Sequence, residues 1–203
     1  MAEVTIARPR NLPVGPIGRS GLGWWGVALL VASEAALFSY LLFSYYYVGA
    51  TARTGWLLEP HPKLFPALPN TILLVASSFV AIYGEKGVEK QRQGQALIGL
   101  GGAFLMGLIF ACVQGYEWWE KPYGIGTSSY ASLYFTTTAF HMAHVVAGLI
   151  ILACLFFWKL ADFFSPRRQI SVSVGVLYWH FVDVVWLFVF TTYYLTPYLG
   201  FAR

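Results

Sequence analysis

Five stretches of the chain are apolar for long enough to cross a membrane as helices. They run over residues 24–48, 67–83, 95–116, 131–158 and 171–196. A helix rises about 1.5 Å per residue, so runs of this kind match a hydrocarbon layer roughly 30 Å thick. The second is the shortest, and the fourth is long enough to predict tilt or extension beyond the bilayer. Between them lie segments rich in turn formers or charge: 49–66 with Gly49, Gly55, Pro60, Pro62 and Pro66; 84–94 as a charged turn; 122–130 with Pro122, Gly124 and Gly126; and 159–170 with Lys159, Pro166, Arg167 and Arg168. The pattern predicts an all-α polytopic membrane protein. Its single membrane domain, over 24–203, is a bundle of five transmembrane helices behind a flexible tail over 1–23. That tail carries Arg8, Arg10, Arg19 and the run Pro13-Val14-Gly15-Pro16, and has no apolar core of the kind a cleavable signal needs.

Composition points the same way. The chain of 203 residues is 58% hydrophobic and 11% charged, whereas soluble domains carry about 25% charged residues. Its net charge of +4 does not indicate nucleic acid, because the basic residues sit in the short segments between apolar runs. Nine of the 13 Lys and Arg fall in the tail, the second turn and the fourth turn, and four in the first loop, the third loop and the C-terminus. Positive residues stay cytoplasmic, which predicts the N-terminus inside and the C-terminus outside. Cys112 and Cys154 lie in apolar runs near opposite faces on this topology, and read as small packing residues rather than a disulfide or a zinc site.

Two patterns concern packing. Gly99, Ala103, Gly107, Ala111 and Gly115 recur every fourth residue on helix 3, a ridge that lets a neighbouring backbone come close. Trp24, Trp25, Tyr45, Tyr46, Tyr47, Trp118, Trp119, Trp158, Tyr193 and Tyr194 cluster near helix ends, as amphipathic rings at the headgroup level do.

The informative residues are those a membrane helix should not contain. Glu34, His141, His144, His180 and Asp183 all lie deep in predicted spans, where a charged group costs about 2.5–3.5 kcal/mol on insertion scales. Glu34 is about ten residues into helix 1, hence roughly 15 Å deep. His180 and Asp183 have i,i+3 spacing on helix 5, as do His141 and His144 on helix 4 with Thr137 one turn before, so each pair can share a face. His141 and His180 both lie about half a membrane from their helix starts, so the His pair and the His–Asp pair can meet at one level. Three readings compete: hydrogen bonds that fix helix packing, a proton or ion path, and a metal site. No open ligand set is evident for a metal, and haem would need room that five helices do not offer. Gln114 and Glu117, at the same i,i+3 spacing on the end of helix 3, are either a solvated helix end or a specific contact. Nothing resembles a nucleophile, a phosphate loop or a dinucleotide fingerprint; the glycines at 99–102 follow no strand.

One segment is distinctive as a string. Tyr178-Trp179-His180-Phe181-Val182-Asp183-Val184-Val185-Trp186-Leu187-Phe188 closely resembles the signature of haem–copper oxidase subunit III. Others agree in order: Ser33-Glu34 in helix 1, similar to the family's carbodiimide-reactive membrane carboxylate; Pro69-Asn70-Thr71 followed by Ser77-Ser78; Gln114-Gly115-Tyr116-Glu117-Trp118, similar to its Gln-x-x-Glu element; and Phe135 to His144, ending in its paired histidines. The resemblance covers 24–197. It departs from the family where Ala139 and Met142 stand in place of common glycines, and it resembles the short bacterial form, without the two additional N-terminal helices of seven-helix members.

The resemblance implies a non-redox subunit of a respiratory oxidase in the bacterial inner (plasma) membrane. Such a chain binds no cofactor; haem and copper belong to partner subunits. Its main contact would be subunit I, with subunit II and others in the complex. It would bind phospholipid, sustain proton uptake and protect the active site during turnover. Ser33-Glu34 and the Gln-x-x-Glu element favour cytochrome c over quinol as the electron source. Arg167 and Arg168 would meet lipid headgroups at the inner face. A subunit III-like partner of a quinol oxidase or nitric oxide reductase is the neighbouring alternative. A small independent transporter working through Glu34 and Asp183 is the alternative from another class, and the lack of paired broken helices argues against it.

Overall fold

The computed structural model describes residues 22–52, 56–57, 63–161 and 170–201. It contains α1 (Leu22–Thr51), α2 (Leu64–Glu89), α3 (Gln93–Glu120), α4 (Ser129–Leu160) and α5 (Ile170–Phe190), the last continued by a π-helical turn, Thr191–Leu195. All five are long and apolar enough to cross a membrane. The tail with its three arginines and the segment holding Arg167 and Arg168 lie outside the described residues.

Four helices form a ring in which α2 packs on α3, α3 on α4, α4 on α5 and α5 back on α2; α1 lies outside it against α4 and α5. Neighbours in the ring run antiparallel, so Lys86, Lys90, Arg92 and Lys159 gather at one end, called here the basic end. The core follows α5, whose Trp179, Val182, Trp186 and Val189 are fully buried, whereas α1 buries little beyond Phe38, Tyr45 and Gly49.

Helix boundaries depart most from the hydrophobic pattern at α2. The expected span 67–83 and charged turn 84–94 give way to a helix that continues to Glu89 and a turn of only a few residues. Glu85, Lys86 and Glu89 are good helix formers, and hydropathy is blind to them. Gly84 and Gly87 also bury this stretch against α3: a Cβ on Gly84 would sit 2.8 Å from the Leu100 nitrogen, and one on Gly87 would sit 2.5 Å from the Ala96 nitrogen. The turn closes through Gln91 at φ 55° and a hydrogen bond from the Arg92 nitrogen to the Gly87 oxygen of 2.8 Å, a left-handed C-terminal stop. At the other end Phe65 is extended (φ −101°, ψ 119°), as the residue before a proline prefers. Ser128 caps α4 by accepting from the Ala131 nitrogen at 3.1 Å.

The small-residue ridge on α3 is only partly an interface. Gly99 meets Gly84 backbone to backbone, Ala103 is fully buried, and Gly107 receives the Trp179 indole. Gly115 has open space where a Cβ would be. Cys112 and Cys154 are exposed on the lipid side rather than packed inside, and neither is in a disulfide. The aromatic belt also divides. Trp25, Tyr47 and Trp119 are exposed, but Tyr45, Tyr193 and Tyr194 are fully buried and belong to the core. The π turn adds a residue to the helical circuit and so carries both Tyr193 and Tyr194 inward.

The Gly84–Gly99 approach gives a direct test. A Cβ on Gly99 would lie 2.2 Å from the Gly84 Cα, so Gly99→Val must push the α2 and α3 backbones away from each other. It should destabilise the bundle by about 1–3 kcal/mol, read as a lower melting temperature in mild detergent. Gly115→Ala should stay within about 0.5 kcal/mol of the parent.

Candidate functional site: the polar interior of the bundle

The deep polar side chains resolve into separate networks, each bridging two helices. Between α1 and α4, His144 Nε2 lies 3.1 Å from Glu34 Oε2, while its Nδ1 is 2.7 Å from the Phe140 carbonyl oxygen. A carbonyl only accepts, so Nδ1 carries hydrogen. A neutral imidazole then has only a lone pair at Nε2. The Glu34 contact therefore holds one further proton, on the carboxyl or on the ring. Both side chains are partly exposed, Glu34 at 28% and His144 at 15%.

Between α4 and α5, His141 is fully enclosed. Its Nε2 donates to the Val182 carbonyl at 3.1 Å, and its ring lies 4.8 Å from that of Trp186 and 6.0 Å from that of Phe110. Its Nδ1 has no hydrogen-bond partner among the described residues.

Between α2 and α5, Ser78 is the joint. Its hydroxyl donates to Asp183 Oδ2 and is 2.8 Å from His180 Nδ1. His180 and Asp183 do share a face, but they meet through this hydroxyl rather than directly. The same two helices are tied by Trp179 Nε1 donating to Ser77 Oγ at 2.9 Å and Trp186 Nε1 donating to Thr71 Oγ1 at 2.9 Å. Trp179 and Trp186 are separated by about two helical turns, so both indoles point at α2. The His pair and the His–Asp pair therefore lie at one level, since His141 binds the carbonyl next to Asp183. They do not form one site: His141 faces α5, His144 faces α1, and His180 faces α2.

A further network lies near the end opposite the basic one. Tyr194 donates to Glu117 Oε1 at 2.7 Å, Lys121 Nζ is 3.0 Å from the same oxygen, and the Tyr134 and Tyr194 hydroxyls lie within 3.0 Å of each other. Tyr194 gives its one hydrogen to Glu117, so Tyr134 is the donor to Tyr194. Thr137 donates in the same way to Tyr193, whose own hydrogen goes to the Leu133 carbonyl. Gln114 and Glu117, at 1% and 6% exposure, are interior residues, which removes the reading as a solvated helix end. One turn away on α3, the Phe110 carbonyl accepts from the buried Asn70 amide of α2 at 3.2 Å. In the following loop, burial and the nearby Glu117 carboxylate push the Tyr123 hydroxyl up to about 12, so it stays a hydrogen-bond donor at neutral pH.

Sequence reasoning singled out Asp183 and the histidines, gave no role to Ser77, Ser78 or Thr71, and took Tyr194 for a ring at the headgroup level. Hydroxyl residues are common in membrane helices and bond to their own backbone, as Ser33, Ser39 and Ser44 do here. Spacing alone does not distinguish the two uses. Among the described residues no group of three or more His, Cys, Asp or Glu could hold a metal ion.

Fold and site together define a multi-pass membrane protein whose interior polar groups are tied across helices. Comparison with known proteins places it more closely. The sequence model for cytochrome c oxidase subunit III matches residues 16–198. The cytochrome c oxidase subunit 3 of Synechocystis sp. is 34% identical over 184 residues, 89% of this chain and 78% of the relative. A probable cytochrome c oxidase subunit 3 of Nocardia farcinica is 35% identical over 177 residues, 83% and 85% of the two chains. That of Locusta migratoria is 32% identical over 178 residues, 84% and 67%. The chain belongs to the cytochrome c oxidase subunit III family.

The Glu117 network makes a measurable contribution. Tyr194→Phe leaves a buried carboxylate one donor short and should cost about 1–3 kcal/mol. Tyr116→Phe, whose hydroxyl meets Glu120 on the exposed side, should stay within about 0.5 kcal/mol of the parent. Thermal unfolding in one detergent measures both.

Proposed function

We propose that the chain is the non-redox subunit III of a haem–copper terminal oxidase that passes electrons from cytochrome c to oxygen. In this reading it sits in the bacterial plasma membrane with its N-terminus and basic end inside. It packs chiefly against subunit I, contacts subunit II, and carries no haem or copper itself. The observation that carries the proposal is the Tyr178–Phe188 segment. In it Trp179, His180, Asp183 and Trp186 each bond outward to α2, within a family match running over most of the chain. The residues that make the sequence recognisable are the ones that hold the bundle.

The proposed support of proton uptake draws on the Glu34–His144 pair, which holds a proton at membrane depth and is open enough to be reached from outside the bundle. The proposed lipid binding draws on an apolar groove where α1, α4 and α5 diverge at the basic end. Leu30, Ile151, Cys154, Leu155 and Gly175 are among its walls, Trp158 is at its mouth, and its volume is about 470 Å³. That shape suits an acyl chain whose headgroup would lie at the basic end of the bundle.

Purification in mild detergent tests the assignment. The chain should come down with a larger haem-bearing subunit, and separated from it should show no haem spectrum; a stable isolated chain with its own haem contradicts the reading. Asp183→Ala should weaken co-purification, because Ser78 loses its acceptor, a deficit of about 1–3 kcal/mol. Glu34→Gln keeps a hydrogen-bonding side chain and should leave assembly intact while lowering proton uptake by the complex.

A further inference from the structure

Ser78, His180 and Asp183 are arranged as more than a packing contact. Ser78 has one hydrogen and gives it to Asp183 Oδ2, so its oxygen must accept from His180 Nδ1. That fixes the tautomer: a neutral His180 carries its hydrogen on Nδ1 and presents a lone pair at Nε2. The ring is only partly buried, while Asp183 is enclosed at 4% exposure. Asp183 Oδ1 has no partner among the described residues, so the chain of hydrogen bonds stops there. At the other end is Glu85, whose charge acts on the His180 ring. It lies two helical turns from Ser78 on the same face of α2, half-buried towards the basic end, beside exposed Lys86, Glu89 and Lys90. His141 on α4 lies at the same level but bonds to the Val182 carbonyl rather than to any member of this group.

We propose that Glu85, His180, Ser78 and Asp183 form a dead-ended proton store, loaded and emptied from the basic end of the bundle. On loading, a proton from Glu85 reaches His180 Nε2 through an intervening water, since the two side chains are not in direct hydrogen-bond contact. The Nδ1 hydrogen passes to the Ser78 oxygen, and the Ser78 hydrogen passes to Asp183 Oδ2. One proton has left Glu85 and one has arrived on Asp183; His180 remains neutral with its tautomer switched, and no electrons are exchanged. Unloading runs the same steps backwards and restores the first tautomer, so the store needs no ring flip. Imidazole and carboxyl groups in such chains are the usual proton carriers inside membranes. A hydrogen bond made only for packing would not need a titratable group on either side of the serine, nor a carboxylate at its inlet.

Infrared spectroscopy of the purified complex tests this. A protonated-carboxyl stretch should appear as pH is lowered and should be missing in Asp183→Asn. Its exchange in deuterated buffer should slow by about tenfold or more in Ser78→Ala and in Glu85→Gln, and should keep the parent rate in Ser78→Thr, which retains the hydroxyl. If Ser78→Ala fails to assemble, Glu85→Gln decides by itself, since it lies at the mouth of the chain. A spectrum unchanged by Asp183→Asn, or parent exchange rates in either slowing variant, overturns the store. Its use by an oxidase rests on the reading above, but the store does not. A chain that purifies without a haem-bearing partner refutes that reading, and the same spectra of the chain in detergent still decide the store.

Discussion

Inside a lipid layer no water is available to satisfy a polar group, so each one needs a partner from the protein. That constraint accounts for more of this structure than apolar packing does. Lipid is as good a solvent for leucine as another helix is, and greasy surface alone gives helices little reason to associate. Here the reasons are specific. Two indoles, a carboxylate and a histidine on α5 reach hydroxyls on α2. A histidine on α4 reaches an α5 carbonyl, and another reaches Glu34 on α1.

This makes α5 the axis of the molecule. It is the most enclosed span, and its tryptophans serve several helices each. Trp179 donates to Ser77 on α2 while its ring fills the notches left by Gly107 on α3 and Gly148 on α4. Trp186 donates to Thr71 on α2 and lies against His141 of α4 and Phe110 of α3. Glycine supplies room and the indole supplies both area and a donor, so the ring of four helices closes around one column of side chains. Helix α1 is held more lightly. Its polar ties to the bundle include the Glu34–His144 pair at mid-depth and the Tyr45 hydroxyl on Thr196 at 2.7 Å near the end opposite the basic one. A helix with so little of its surface buried, and an apolar groove beside it, suits a chain that meets lipid on several sides and other subunits on the rest.

Much of this was legible in the sequence, and the physical reasons for the remainder are specific. Hydropathy located all five spans because the cost of a polar residue in lipid is large and local. It misjudged the end of α2 because Glu85, Lys86 and Glu89 are helix formers whatever their polarity, and Gly84 and Gly87 dock that segment on α3. It took Tyr45, Tyr193 and Tyr194 for interfacial residues because a phenol suits both a headgroup layer and a buried donor; the π turn that directs two of them inward has no signature in composition. Depth identified Glu34, His141, His144, His180 and Asp183 as residues in need of partners. It did not identify the partners, since a serine that bonds to its own helix and one that bridges to another read alike. Gln114 and Glu117 looked terminal in the hydropathy trace, yet the continuation of α3 to Glu120 and the inward Tyr194 enclose them.

The account turns on whether these interhelical hydrogen bonds hold the ring together. A double-mutant cycle on Ser77→Ala and Trp179→Phe, read by reversible unfolding in detergent, measures one of them directly. A favourable coupling of about 0.6 kcal/mol or more is predicted, in the range such bonds reach between membrane helices. Strictly additive losses would show that Ser77 and Trp179 act independently, and that the bundle is held by packing alone.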